Sequence, residues 1–219
     1  MSNSLSKKTD TLKMVQTALL AAVIIVMGLV PFLGFIPLGF MNATIIHIPV
    51  IIGSILLGPK VGACLGGVFG LTSFLNATFR PNATSFVFSP FYSLGEFHGT
   101  WASLIVAFVP RILIGVVPYF VYVGLMKLIE NKKAGKTVSL SVAGIAGSLT
   151  NTILVMGFIL LFFREPYAQV VGESAETVYL FILSIICMSG VPEAIVASII
   201  TTIICTVLMK SKVIKNQVN

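Results

Sequence analysis

Arg111 and Glu193 are the two residues of this chain that most need a chemical account. Each interrupts a long apolar run, as Val109-Pro110-Arg111-Ile112 and as Val191-Pro192-Glu193-Ala194. If those runs lie in lipid, each charge costs about 2.5–3.5 kcal/mol to insert, so each must meet a partner or a solute. Amides and hydroxyls punctuate other apolar runs at Asn76, Thr72, Asn151 and Thr44, and His47 stands among isoleucines. One cation with two amides and several hydroxyls is a recognition set. The cation neutralises an anion, and each amide can both donate and accept.

Depth brings these residues together. Measured at the helical rise from the nearest cytoplasmic lysine, Arg111 lies 16 residues from Lys127 and Glu193 lies 17 from Lys210, roughly 24 and 26 Å. Asn76 is 16 residues from Lys60 and Asn151 is 15 from Lys136, both near about 22–24 Å. Thr44 is also 16 residues from Lys60, and His47 is 13, nearer about 20 Å. Polar side chains from five helices thus share one level in the outer half of a hydrocarbon core about 30 Å thick. Each also has a plainer explanation. Arg111 and Glu193 can pair with each other, the amides and Thr72 can act as interhelical glue worth about 0.6 kcal/mol apiece, and His47 can be a satisfied core histidine. Their convergence favours a polar cavity open to the outside, and Pro110 frees a helix carbonyl beside Arg111.

No catalytic arrangement competes. The chain has no Ser/His/Asp set at one depth, no His-Glu-x-x-His motif and no phosphate-binding glycine loop. Neither a cofactor nor a metal is expected. Glu193 alone supplies too few buried acids for a proton antiporter, and one arginine among amides makes no selectivity ring for a channel.

The elements that must hold these residues follow from composition. Of 219 residues, 57% are hydrophobic and 10% charged, and the mean hydropathy is +1.04. Soluble domains carry roughly 25% charged residues, so a soluble enzyme, a disordered chain and a nucleic-acid-binding domain are excluded. At about 20 residues per span the length suits six membrane helices and leaves no room for an ATPase domain. Apolar stretches stand at about 12–30, 44–58, 61–79, 101–128, 141–163 and 177–209. They predict one all-α integral membrane domain over 1–219, a six-helix transmembrane bundle, with the first stretch a retained helix rather than a cleaved signal. Cys64, Cys187 and Cys205 lie far apart in apolar runs and read as packing residues.

The net charge of +7 is a topology signal. Lys7, Lys8, Lys13, Lys60, Lys127, Lys132, Lys133, Lys136, Lys210, Lys212 and Lys215 fall on one side, against Arg80 and Arg164 on the other. Both termini are therefore expected in the cytoplasm. The external connections 31–43 (Phe32, Phe35, Ile36, Phe40) and 80–100 (Phe86, Phe88, Phe91, Tyr92) are aromatic and rich in Pro and Gly. They can fold over a pocket as lids or form an interfacial belt. Small residues repeat at four-residue spacing in Gly62, Gly66 and Gly70, and in Ala18 and Ala22. Such stripes let helices approach closely; the glycines suit packing inside the bundle, and the alanines suit either an internal contact or a partner protein.

With these residues in view, the chain resembles the substrate-binding S components of energy-coupling factor (ECF) vitamin transporters over essentially its whole length. The resemblance rests on size, on the expected six helices, on Ala18-x-x-x-Ala22, on Ile48-Pro49 to Gly58-Pro59-Lys60-x-Gly62, and on Pro192-Glu193-Ala194. The run Asn76-Ala77, the loop Phe88-Ser89-Pro90-Phe91 and Val109-Pro110-Arg111-Ile112 look most like the pantothenate-specific members. It implies a multi-pass protein of the bacterial cell membrane that binds a vitamin from outside and is no enzyme. It also implies a transmembrane coupling subunit that docks on Ala18 and Ala22, two ABC ATPases that supply the energy, and no nucleic acid among the partners. The expected solute contacts are Arg111, Asn76, Asn151, Thr72, Glu193, Thr44 and His47, with pantothenate the expected solute; the alternatives are a pyridoxine-type compound or a thiamine precursor as solute and, outside this family, a small intramembrane enzyme.

Overall fold

Prolines decide where the apolar runs bend. The computed structural model describes residues 2–30, 33–37, 42–130 and 132–210. Helix α1 (Ser2–Leu29) leads into a short antiparallel hairpin, β1 (Phe35–Pro37) with β2 (Asn42–Thr44), in which Phe35 faces Thr44. Then come α2 (His47–Leu57) and α3 (Pro59–Phe79), separated by Gly58 at φ +98°, a left-handed conformation that suits glycine. A 3₁₀ turn (Ser85–Val87) and a second hairpin, β3 (Ser93–Leu94) with β4 (Phe97–His98), lead to α4 (Trp101–Ile114) and α5 (Val117–Leu128). The chain closes with α6 (Lys132–Val171), α7 (Val178–Ile185), a π turn (Ile186–Gly190) and α8 (Val191–Lys210).

Each break has a cause in the missing proline N–H. Pro118 cannot bond the Ile114 carbonyl, and the expected run 101–128 divides there into α4 and α5. Pro166 cannot bond Phe162, and α6 kinks at Phe163 (φ −132°, ψ 23°). Pro192 cannot bond Met188, and the helix widens into the π turn.

Among the described residues, five segments are long and apolar enough to cross a membrane: Thr11–Leu29, Pro59–Phe79, Trp101–Leu128, Ala134–Val171 and Val178–Lys210. The remaining run, expected at 44–58, is the 11-residue α2, about 16 Å long and buried from His47 to Ile55. It sits among the other helices, where Ile48, Val50, Ile51 and Ile55 join Ile24, Leu65, Phe69 and Ile114 in one apolar cluster. A second cluster gathers Phe86, Val106, Val155, Ile159, Phe163 and Ile182 under the 80–100 connection.

The glycine stripe on α3 lies against α4. A Cβ on Gly66 would strike the carbonyl of Arg111, and one on Gly62 the carbonyl of Gly115. Backbone therefore meets backbone at the position that carries Arg111. Ala18 and Ala22 face away from the bundle and are exposed, whereas α1 packs inward through Leu20, Ala21, Ile24 and Met27.

Candidate functional site

A cavity of about 430 Å³ lies between the two apolar clusters. Phe69, Thr72, Ser73, Asn76 and Ala77 of α3 form one wall, and Gly28, Leu29, Thr44 and Ile46 another. Arg111, Asn151, Asn82, Ser85 and Phe88 complete it, and exposed Arg80 marks where it reaches the surface.

Local chemistry places Arg111. Because Pro110 has no N–H, the Val106 carbonyl four residues earlier lacks its helical donor. Helical side chains point back toward the N-terminus, and the Arg111 Nη1 donates to that same carbonyl at 2.7 Å. Its guanidinium carbon lies 5.5 Å from the Phe69 ring centre and 5.1 Å from that of Phe88. Two ring faces and a carbonyl thus stabilise a cation that is only 7% exposed. Its Nε is buried and has no hydrogen-bond partner among the described residues.

The other lining groups divide between structure and cavity. Thr72 donates its hydroxyl to Phe69 of its own helix at 2.8 Å. Asn76 donates through Nδ2 to the Gly28 carbonyl, and Arg80 through Nη1 to that of Leu29 at 2.7 Å. Asn151 is buried, with an Oδ1 that has no partner among the described residues. Asn82 orders its loop by accepting from the Thr84 N–H and the Ser85 hydroxyl. Ser103 closes a capping box with Thr100 and donates to the Phe86 carbonyl, tying α4 to the 3₁₀ turn. The 80–100 connection thereby holds Phe86 buried and Phe88 half-buried at the cavity while Phe91 stays outside.

Of the residues expected from sequence, Arg111, Asn76, Asn151, Thr72 and Thr44 line this one cavity; Glu193 and His47 do not. Glu193 does not pair with Arg111 among the described residues. Its Oε1 accepts the backbone N–H of Thr44 at 2.7 Å. His47 is wholly buried at the start of α2. Phe69, Ser73, Arg80 and Ser85 were not anticipated as lining residues. For the first three the signal was a stripe along α3, since 69, 72, 73, 76 and 80 share one helical face, whereas Ser85 lies in the 3₁₀ turn. The first expected lid cannot be placed, because its Pro31, Phe32, Gly39 and Phe40 lie outside the described residues.

Arg111 and Arg80 line the cavity, and no lining residue among those described is an acid. Apolar membrane-spanning helices around such a chamber define a multi-pass membrane protein built to hold a small polar solute. The family profile described as "ECF transporter, substrate-specific component" matches residues 12–205, and the chain belongs to that family. It is a transport subunit rather than an enzyme. Over 171 residues, 77% of this chain and 79% of the relative, it is 42% identical to "Pantothenic acid transporter PanT" of Lactococcus lactis subsp. cremoris. Over 201 residues, 90% of this chain and 91% of the relative, it is 30% identical to "Pantothenate transporter PanT" of Leuconostoc mesenteroides subsp. mesenteroides.

Proposed function

We propose that this chain captures pantothenate from outside the cell and delivers it inward as the S component of an ECF transporter. The carrying observation is the lining itself, which among the described residues has two arginines and no acid, with Arg111 Nε and Asn151 Oδ1 both buried and without a partner there. Orphaned buried polar atoms cost free energy, so a ligand that satisfies them gains affinity. Pantothenate offers a carboxylate for the Arg111 guanidinium and an amide and two hydroxyls for Asn151, Asn76 and Thr72. A cationic solute would face Arg111 unneutralised. The names of the two relatives support the same substrate.

The topology in this reading has six passes. The short α2 completes the hairpin of helices with α3, and an even number of passes leaves both termini on the lysine-rich cytoplasmic side. Exposed Ala18 and Ala22 are the docking face for a transmembrane coupling subunit, which joins two ABC ATPases. The test is native mass spectrometry and solvent extraction of the chain purified from cells. Co-purified pantothenate is the expected result; a cationic or uncharged vitamin in its place would overturn the assignment.

A further inference from the structure

Glu193 is a buried carboxylate that contacts neither the cavity nor Arg111. It sits one residue after Pro192, three residues beyond the end of the π turn Ile186–Gly190. A π turn takes in an extra residue and so rotates the face of the helix that follows it. From there Oε1 reaches the Thr44 backbone N–H, 149 residues away in sequence. Thr44 ends β2, faces Phe35 across the hairpin and lines the cavity; the next residue, Ile45, donates its N–H to the Gly34 carbonyl. The first hairpin is thus a piece of cavity wall fastened to the last transmembrane segment at one charged point. Water or a neutral acceptor would satisfy a strand N–H at far lower desolvation cost than a buried carboxylate.

We infer that Glu193 is a positioning residue, a latch that holds the β1–β2 hairpin against the cavity and sets how long a bound solute stays. The inference rests on the reading of the cavity as the solute site. A carboxylate accepts more strongly than an amide, and an amide more than nothing, so the latch should weaken in the order Glu193, Glu193→Gln, Glu193→Ala.

Hydrogen exchange on the purified, ligand-free chain tests the latch without any solute. The peptide covering 42–46 should exchange about tenfold faster in Glu193→Ala, the factor one charge-assisted hydrogen bond supplies, with Glu193→Gln between and α2 unchanged. Pantothenate dissociation should quicken by about tenfold in Glu193→Ala while association stays within about threefold, because a held wall acts after entry. Thr44→Pro removes the donor from the other side, and its effect should not add to that of Glu193→Ala. Unchanged exchange at 42–46 would overturn the latch, as would additive effects of the two substitutions. Faster exchange with unaltered dissociation would overturn its role in retention. A parent chain that binds no pantothenate would sink the substrate assignment, and the exchange measurement would still decide the latch.

Discussion

Replacing Arg111 by alanine should remove the carboxylate partner and leave the rest of the cavity standing. Arg111 holds one fixed contact, Nη1 to the Val106 carbonyl, and lies between two phenyl rings. The guanidinium carries five N–H donors, so several, Nε among them, remain for a ligand. A charge-assisted hydrogen bond is worth about 1.5–3 kcal/mol, which predicts a loss of about 10- to 150-fold in affinity for pantothenate. The orphaned Val106 carbonyl destabilises free and bound protein alike and so cancels from the binding measurement. Titration calorimetry with two ligands isolates the charge. Pantothenol, in which a hydroxymethyl group replaces the carboxylate, should bind the parent weakly and Arg111→Ala about as weakly. Arg111→Lys keeps the charge without the planar fork and should fall between. Pantothenate affinity within about threefold of the parent would refute the assignment of Arg111, as would equal losses for both ligands.

Three further outcomes follow from the same geometry. Pro110→Ala gives the Val106 carbonyl a backbone donor and loosens Arg111; affinity should drop by about three- to tenfold, and calorimetry of Pro110→Ala with Arg111→Ala should show that the two losses do not add. Shortening the connection around Phe88–Tyr92 removes one of the two rings over Arg111, so stopped-flow binding should show a faster off-rate with a smaller change in on-rate. Ala18→Trp with Ala22→Trp should leave pantothenate binding by the single chain intact while co-purification with the coupling subunit is lost, because both alanines face outward.

Much of the site was legible because helical rise is nearly constant. Counting residues from lysines placed Arg111, Asn76 and Asn151 at one depth, and these three line one cavity; Thr44 lines it too, but from strand β2, where a helical count does not apply. Depth does not report direction. Glu193 shares that level, yet the π turn before it aims its carboxylate at a backbone amide, and nothing in Cys187-Met188-Ser189-Gly190 announces a widened turn. His47 lies at the right height on a helix buried nearly throughout, and no apolar periodicity shows which side of such a helix meets a cavity. Arg80 was counted for topology alone, although it follows Asn76 by one helical turn. The proline breaks were half visible: Pro110 pointed to a freed carbonyl, but not to the adjacent arginine taking it.

The tie between α1 and α3 changes how substitutions in the cavity should be interpreted. Thr11–Leu29 is 11% buried, against 33–39% for the other four spans, so α1 depends on a few points of attachment. Two of these are at its outer end, where Asn76 and Arg80 donate to the Gly28 and Leu29 carbonyls, among the last of the helix and without intrahelical donors. Both side chains also face the cavity. A variant at either position therefore detaches the end of a helix as well as removing a contact to solute, and a weakened binding curve records both. Arg111 has its fixed hydrogen bond within its own helix. A binding defect at Arg111 therefore carries no contribution from a detached end of α1.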